Sequence, residues 1–185
     1  MEKKNPSFME VYDRSSSPIQ RDHLKAGYAV KVLCQSSSKN MRGVNYFKNI
    51  IMWAIEHQQI KFMFNEDGDP VAYVVWASLS SDVEQRILDT HRVDIHFSEW
   101  NEGDSLWVLD LVCCPGYLKY VLRFLRDNTF FDKKTIRYLR HIKNKSRVSE
   151  LDRSQMAGCL RSMPPASKLC RCEKLYCDLT SNDFK

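Results

Sequence analysis

Along residues 44–57, VNYFKNIIMWAIEH, apolar side chains recur at Val44, Phe47, Ile50, Ile51 and Ala54. That three-and-four spacing predicts one buried face of a helix. The period then changes. IKFMF (60–64) and VAYVVW (71–76) are short apolar runs on either side of Asn65-Glu-Asp-Gly-Asp-Pro70, and two such runs around a turn-forming stretch predict an antiparallel hairpin over residues 60–76. Ser81-Asp-Val-Glu84 fits a capping box opening a helix to about Thr90. After the loop FSEWNEGD comes a third apolar run, SLWVLDLVCCPG (105–116), stopped by Pro115-Gly116. YLKYVLRFLRDN (117–128) reads as an amphipathic helix with Lys119, Arg123 and Arg126 on its polar side, and TIRYLRHI (135–142) as a fourth strand. The order helix, hairpin, helix, strand, helix, strand predicts a mixed α/β or α+β domain around a central sheet.

Composition changes this picture only in places. A chain of 185 residues, 43% hydrophobic and 28% charged, fits one domain with a substantial core. Residues 1–24 are polar and read as an extension, 25–153 as the domain, and 154–185 as a cysteine-bearing tail. No signal-peptide core and no run of about 18 uncharged apolar residues is present, so a cytoplasmic protein without a membrane span is expected. Its seven cysteines are then expected to be free thiols. Cys159, Cys170, Cys172 and Cys177 lack the paired spacing of zinc ligands, and no metal site is assigned. Cys113 and Cys114, adjacent on a strand, point to opposite faces, so at least one serves packing. The net charge of +5 is concentrated between Lys133 and Arg153, a stretch suited to an acidic partner. Binding to nucleic acid would rest on that charge alone and is not expected.

One residue breaks the third strand: Asp110, a carboxylate in an otherwise apolar run. A charge taken out of water costs several kcal/mol unless it is paired or used. It is therefore either a structural acid paired with an arginine or a catalytic carboxylate. The strand that carries it runs through Gly116 into a helix, a junction whose free N–H groups suit a phosphate or a pantetheine carbonyl.

Two segments carry more. Pro70, Val71, Ala72, Tyr73, Trp76, Ala77 and Leu79 fit the pattern P-[VI]-A-[YF]-x-x-W-A-x-L. Trp100, Gly103, Asp104, Trp107 and Asp110 fit W-x-x-G-D-x-x-W-x-x-D about thirty residues on. In order and spacing these segments, with a looser match at Arg137–Leu151, resemble the RTX toxin-activating lysine acyltransferases over about residues 27–152. The resemblance implies a fold related to the GNAT acyltransferases, a mixed and largely antiparallel sheet flanked by helices. It also implies transfer of a fatty acyl chain from acyl carrier protein to lysine side chains of a protoxin. Acyl carrier protein is then a co-substrate rather than a resident cofactor, the work is done in the cytoplasm, and a homodimer is in keeping with the family.

The family pairs a His with its Asp, and Asp110 falls on that Asp. The His does not follow. In the register set by Pro70 its place is taken by Asn40, and in the upstream stretch SSSPIQRDH by Gln20. Three outcomes stand open: another histidine, His23 or His57, fills the role in space; Asp110 acts alone, its apolar strand favouring the protonated form; or the protein binds its partners without turnover. Leu111 and Cys113-Cys114-Pro115 also depart from the family pattern. Arg137, Arg140 and Arg147, with Arg123 and Arg126, are expected to face the acidic carrier protein.

Overall fold

The computed structural model describes residues 17–36, 42–142 and 145–152. It opens on a helix that the hydrophobic pattern does not announce, α1 (Pro18–Gln35). The start signal is chemical instead. Ser17 Oγ accepts from the Gln20 amide, the Gln20 side chain accepts from the Ser17 amide, and Pro18 occupies the first turn. Residues 18–24, read from sequence as part of a polar extension, are therefore helical.

The next helical segment changes its winding twice. Val44–Tyr46 (α2) is α-helical, Phe47–Met52 is π-helical and Trp53–Glu56 (α3) returns to α. The wider π turn rotates the faces relative to a regular helix. Tyr46, Ile50, Ile51, Ala54 and Ile55 are buried, whereas Val44, expected on the inner face, is 84% exposed.

Strands β1 (Ile60–Phe64) and β2 (Pro70–Leu79) form the expected hairpin, with Gly68 at φ +80° in its turn. Helix α4 (Ser81–Thr90) follows. Its N-cap is Ser80, without a side-chain cap bond, so the capping box read at Ser81–Glu84 does not form. Glu84 is used elsewhere: its Oε1 accepts from Ser105 Oγ, Trp107 Nε1 and Arg137 Nη1. Then come β3 (Ser105–Cys113), α5 (Leu118–Phe124) with a π-helical end at Leu125–Thr129, β4 (Thr135–Ile142) and β5 (Lys145–Asp152).

The sheet order is β1-β2-β3-β4-β5. All neighbours are antiparallel except β3 and β4, which run parallel. Both faces are covered. One packs Tyr73, Val75, Ala77, Trp107, Leu109 and Val112 against α1, the segment 44–56 and α4. The other packs Val74, Val108, Leu111 and Cys113 against α5. The motif tryptophans Trp100 and Trp107 are wholly buried in the first layer. The motif glycine has a steric reason: a Cβ on Gly103 would lie 2.2 Å from the Leu79 carbonyl oxygen.

Candidate active site

Asp110 owes its position to an irregularity in β3. Val75 pairs with Asp110 but Trp76 pairs with Val108, so Leu109 is an extra residue, a β-bulge. Side chains on a regular strand alternate between faces. Here Leu109 packs in the layer of Trp107, and Asp110, the next residue, also reaches that layer by bonding Tyr46. Had alternation continued unbroken from Trp107, Val108 and Leu109, Asp110 would point towards α5 with Val108.

On this face Asp110 is 2% exposed and accepts from three donors. Arg42 Nη1 bonds Oδ2 and Arg42 Nη2 lies 3.0 Å from Oδ1, a two-pronged ion pair whose partners are almost fully buried. Tyr46 Oη bonds Oδ2 as well. An ionised carboxylate only accepts, so Tyr46 gives Asp110 its one proton and must accept from Tyr73 Oη, 2.8 Å away. Burial, ahead of the opposing effect of the Arg42 charge, pushes the Tyr46 phenol above its ordinary value and keeps it protonated. The Arg42 guanidinium carbon lies 4.4 Å from the centre of the Tyr46 ring, a cation–π contact. The site is a buried carboxylate with an aromatic face, holding a cation.

Of the two readings open for Asp110, pairing with an arginine is what the geometry displays. Asn40 lies outside the described residues. His57 is engaged elsewhere: its Nε2 is 2.9 Å from the Phe97 carbonyl oxygen, and its ring stacks on Trp100. His23 is an exposed position of α1. Sequence reasoning missed Arg42 and Tyr46. The available signal was position, since Arg42 stands two residues beyond Asn40, the position already singled out.

The parallel pairing of β3 and β4 ends beside the bulge. Among the described residues it is registered only at Trp107↔Arg137 and Val108↔Tyr138, although β3 continues to Cys113 and β4 to Ile142. Beyond the bulge β3 stays paired with β2, where Cys114 N bonds Val71 O at 2.8 Å, and β4 stays paired with β5. Registered pairing of β3 with β4 thus ends at Val108, two residues before Asp110.

The expected docking arginines divide. Arg137 is held internally by Glu84 at 2.6 Å and Glu150 at 3.0 Å. Arg126 pairs with Asp127. Arg123 and Arg147 are exposed. Arg140 sits opposite Arg147 in the β4/β5 register, and its side chain lies outside the described residues. Cys113 and Cys114 are both buried, and burial raises both thiols above their ordinary values, so neither is set up as a thiolate. The tail cysteines Cys159, Cys170, Cys172 and Cys177 lie outside the described residues. No described helix is long and apolar enough to cross a membrane.

A mixed five-stranded sheet with one parallel pair, a bulge where the pairing of that pair ends and helices on both faces defines a GNAT-like acyltransferase fold. The profile of the RTX toxin acyltransferase family matches residues 20–155, and the chain belongs to that family. An RTX-II toxin-activating lysine-acyltransferase from Actinobacillus pleuropneumoniae is 34% identical over 86 residues, 46% of this chain and 51% of that protein. A lysine-acyltransferase from Vibrio cholerae is 28% identical over 80 residues, 43% of this chain and 52% of that protein. An uncharacterized protein from Synechocystis is 23% identical over 138 residues, 74% of this chain and 92% of that protein. The chain thus spans about half the length of these two named acyltransferases.

Proposed function

We propose that this protein is a protein-lysine acyltransferase of the toxin-activating type. It takes a fatty acyl chain from acyl carrier protein and passes it to lysine side chains of a protoxin, in the cytoplasm and with no resident cofactor. The observation that carries this reading is the end of β3–β4 pairing at a bulge, with the buried carboxylate of Asp110 next to the bulged residue. A pantetheine arm, with amides spaced along an extended chain, suits a place where strand pairing ends because it can pair with a strand edge as a further strand does.

The acceptor chemistry gives Asp110 its use. A lysine has an unperturbed pKa near 10.4, so the amine arrives as an ammonium, and the carboxylate beside the bulge can hold it. In the transfer the amine–carbonyl C–N bond forms and the thioester C–S bond breaks. The amine's proton ends on the departing thiol, and the second ammonium proton passes to solvent. Exposed Arg123 and Arg147 offer positive charge to an acidic carrier protein, which speeds encounter more than it fixes specificity.

A second reading, binding of these partners without turnover, is favoured by one contact. Arg42 is permanently charged, so it cannot act as a base, and it occupies the carboxylate that would otherwise serve. Intact-mass spectrometry separates the two. Purified protein is incubated with acyl-ACP and a lysine-bearing acceptor fragment, alongside the variant Arg42→Gln/Asp110→Asn, which removes both charges together. Mass gain with wild type, lost in the double variant, is the expected result. Acceptor binding with no mass gain in either form would replace the first reading by the second.

A further inference from the structure

We propose that the Asp110–Tyr46 pocket is the subsite for the acceptor's ε-ammonium, and that Arg42 is an internal occupant which the acceptor must displace. The inference deepens the acyltransferase reading and rests on it for the identity of the incoming cation. The pocket itself is read from contacts alone.

Three features make it a cation cradle rather than a generic salt bridge. The carboxylate is almost fully enclosed, at 2% exposure, and its partner's side chain at 3%. The Tyr46 ring lies against the cation at 4.4 Å, and an aromatic face attracts an ammonium as it does a guanidinium. Tyr46 and Tyr73 form a fixed hydrogen-bonded chain that holds the carboxylate in place whichever cation is bound. Arg42 also enters from a favourable place for an exchangeable group. It belongs to no helix or strand, lying just before Gly43, the N-cap of α2. Asp110 and Tyr73, by contrast, sit on central strands. Exchange of one cation for another keeps the buried carboxylate paired throughout, and so avoids the large penalty of leaving it alone. Arg42 then sets the acceptor's apparent affinity: a binding-competent state populated only in part weakens binding by that fraction.

The test needs no acyl donor. Thermal unfolding of Arg42→Ala is followed against n-butylammonium chloride, with sodium chloride at equal ionic strength and methylguanidinium as comparisons. The expected result is a saturable rise of several degrees with n-butylammonium, as for any ligand of the folded state. That rise is expected to vanish in Arg42→Ala/Asp110→Asn. Rescue by methylguanidinium with n-butylammonium no better than sodium chloride would overturn the proposal, as would an equal rise in the double variant. Should Arg42→Ala fail to fold, Arg42→Lys delivers the ammonium covalently. It is expected to unfold well above Arg42→Met, and equality of the two would overturn the cradle. Because these readouts are stabilities, a wild type inactive in acyl transfer would remove the catalytic reading without touching the ammonium site. Failed rescue in an active enzyme would do the reverse.

Discussion

Arg42 and Asp110 form so enclosed an ion pair that substituting either one alone is expected to cost stability. Removing one member of a buried ion pair leaves the other charged and unsolvated, at about 3–5 kcal/mol, whereas replacing both by apolar residues is often neutral. Arg42→Met is therefore expected to lose about that much in urea unfolding, and Arg42→Met/Asp110→Leu to recover most of it. An alanine at Asp110 alone would confuse lost catalysis with lost stability, because it strands the guanidinium. Tyr46→Phe is milder. It removes the hydrogen bond to the charged Asp110 and the acceptor of Tyr73 Oη, and the bond to the charged group alone sets an expected loss of about 1.5–3 kcal/mol. It also has a pH signature. Burial raises the Tyr46 phenol above its ordinary 10.0, so the folded state holds that proton more tightly than the unfolded chain. The resulting stability is present below pH 10 and lost as pH rises through the raised value. Urea midpoints of wild type and Tyr46→Phe between pH 8 and 11 are expected to converge at the alkaline end.

At the scale of elements, the site is made by departures from regularity. The Leu109 bulge turns Asp110 onto the helix-covered face, and the π turn at Phe47–Met52 reorganises the helical face that begins at Tyr46. Neither was legible in the sequence. β3 is apolar on both faces, so its run SLWVLDLVC shows no alternation from which a slip of phase could be read. The helical pattern at 44–57 fits a regular 3.6-residue period well enough to hide a wider turn, and Val44 was misplaced for that reason. Gly103 shows the reverse case, a motif residue whose meaning is wholly steric. Its amide bonds Ser78 O at 3.1 Å, and its missing Cβ leaves room for the Leu79 backbone. Gly103→Ala forces that contact apart, with an expected cost of about 1–3 kcal/mol. A lowered melting temperature with an unchanged far-ultraviolet spectrum would report it.

Across the whole molecule, charge has two duties. Arg137 ties β4 to α4 and β5 through Glu84 and Glu150 and so belongs to the scaffold. Arg123 and Arg147 remain at the surface, where an acidic carrier protein would feel them. If they steer that encounter, kcat/KM for acyl-ACP is expected to fall steeply as salt is raised from about 50 to 300 mM, since the screening length shortens over that range. Arg123→Glu/Arg147→Glu is expected to flatten the dependence and leave the melting temperature nearly unchanged. A salt-independent kcat/KM in wild type would place the carrier elsewhere.

What the sequence determined by itself was the inventory between residues 44 and 142, without α1 and β5: the hairpin, the order of helices and strands around it, the oddity of Asp110, and the family, carried by two tryptophan-anchored motifs. These are local patterns or residue identities, and each survives without knowledge of what lies opposite. The partner of Asp110 was decided only by tertiary structure. Arg42 is 68 residues away in the chain, and no periodicity connects the two. They meet because one extra residue in β3 turns the carboxylate towards the helical layer, where the cost of burying a charge selects a cation to sit beside it.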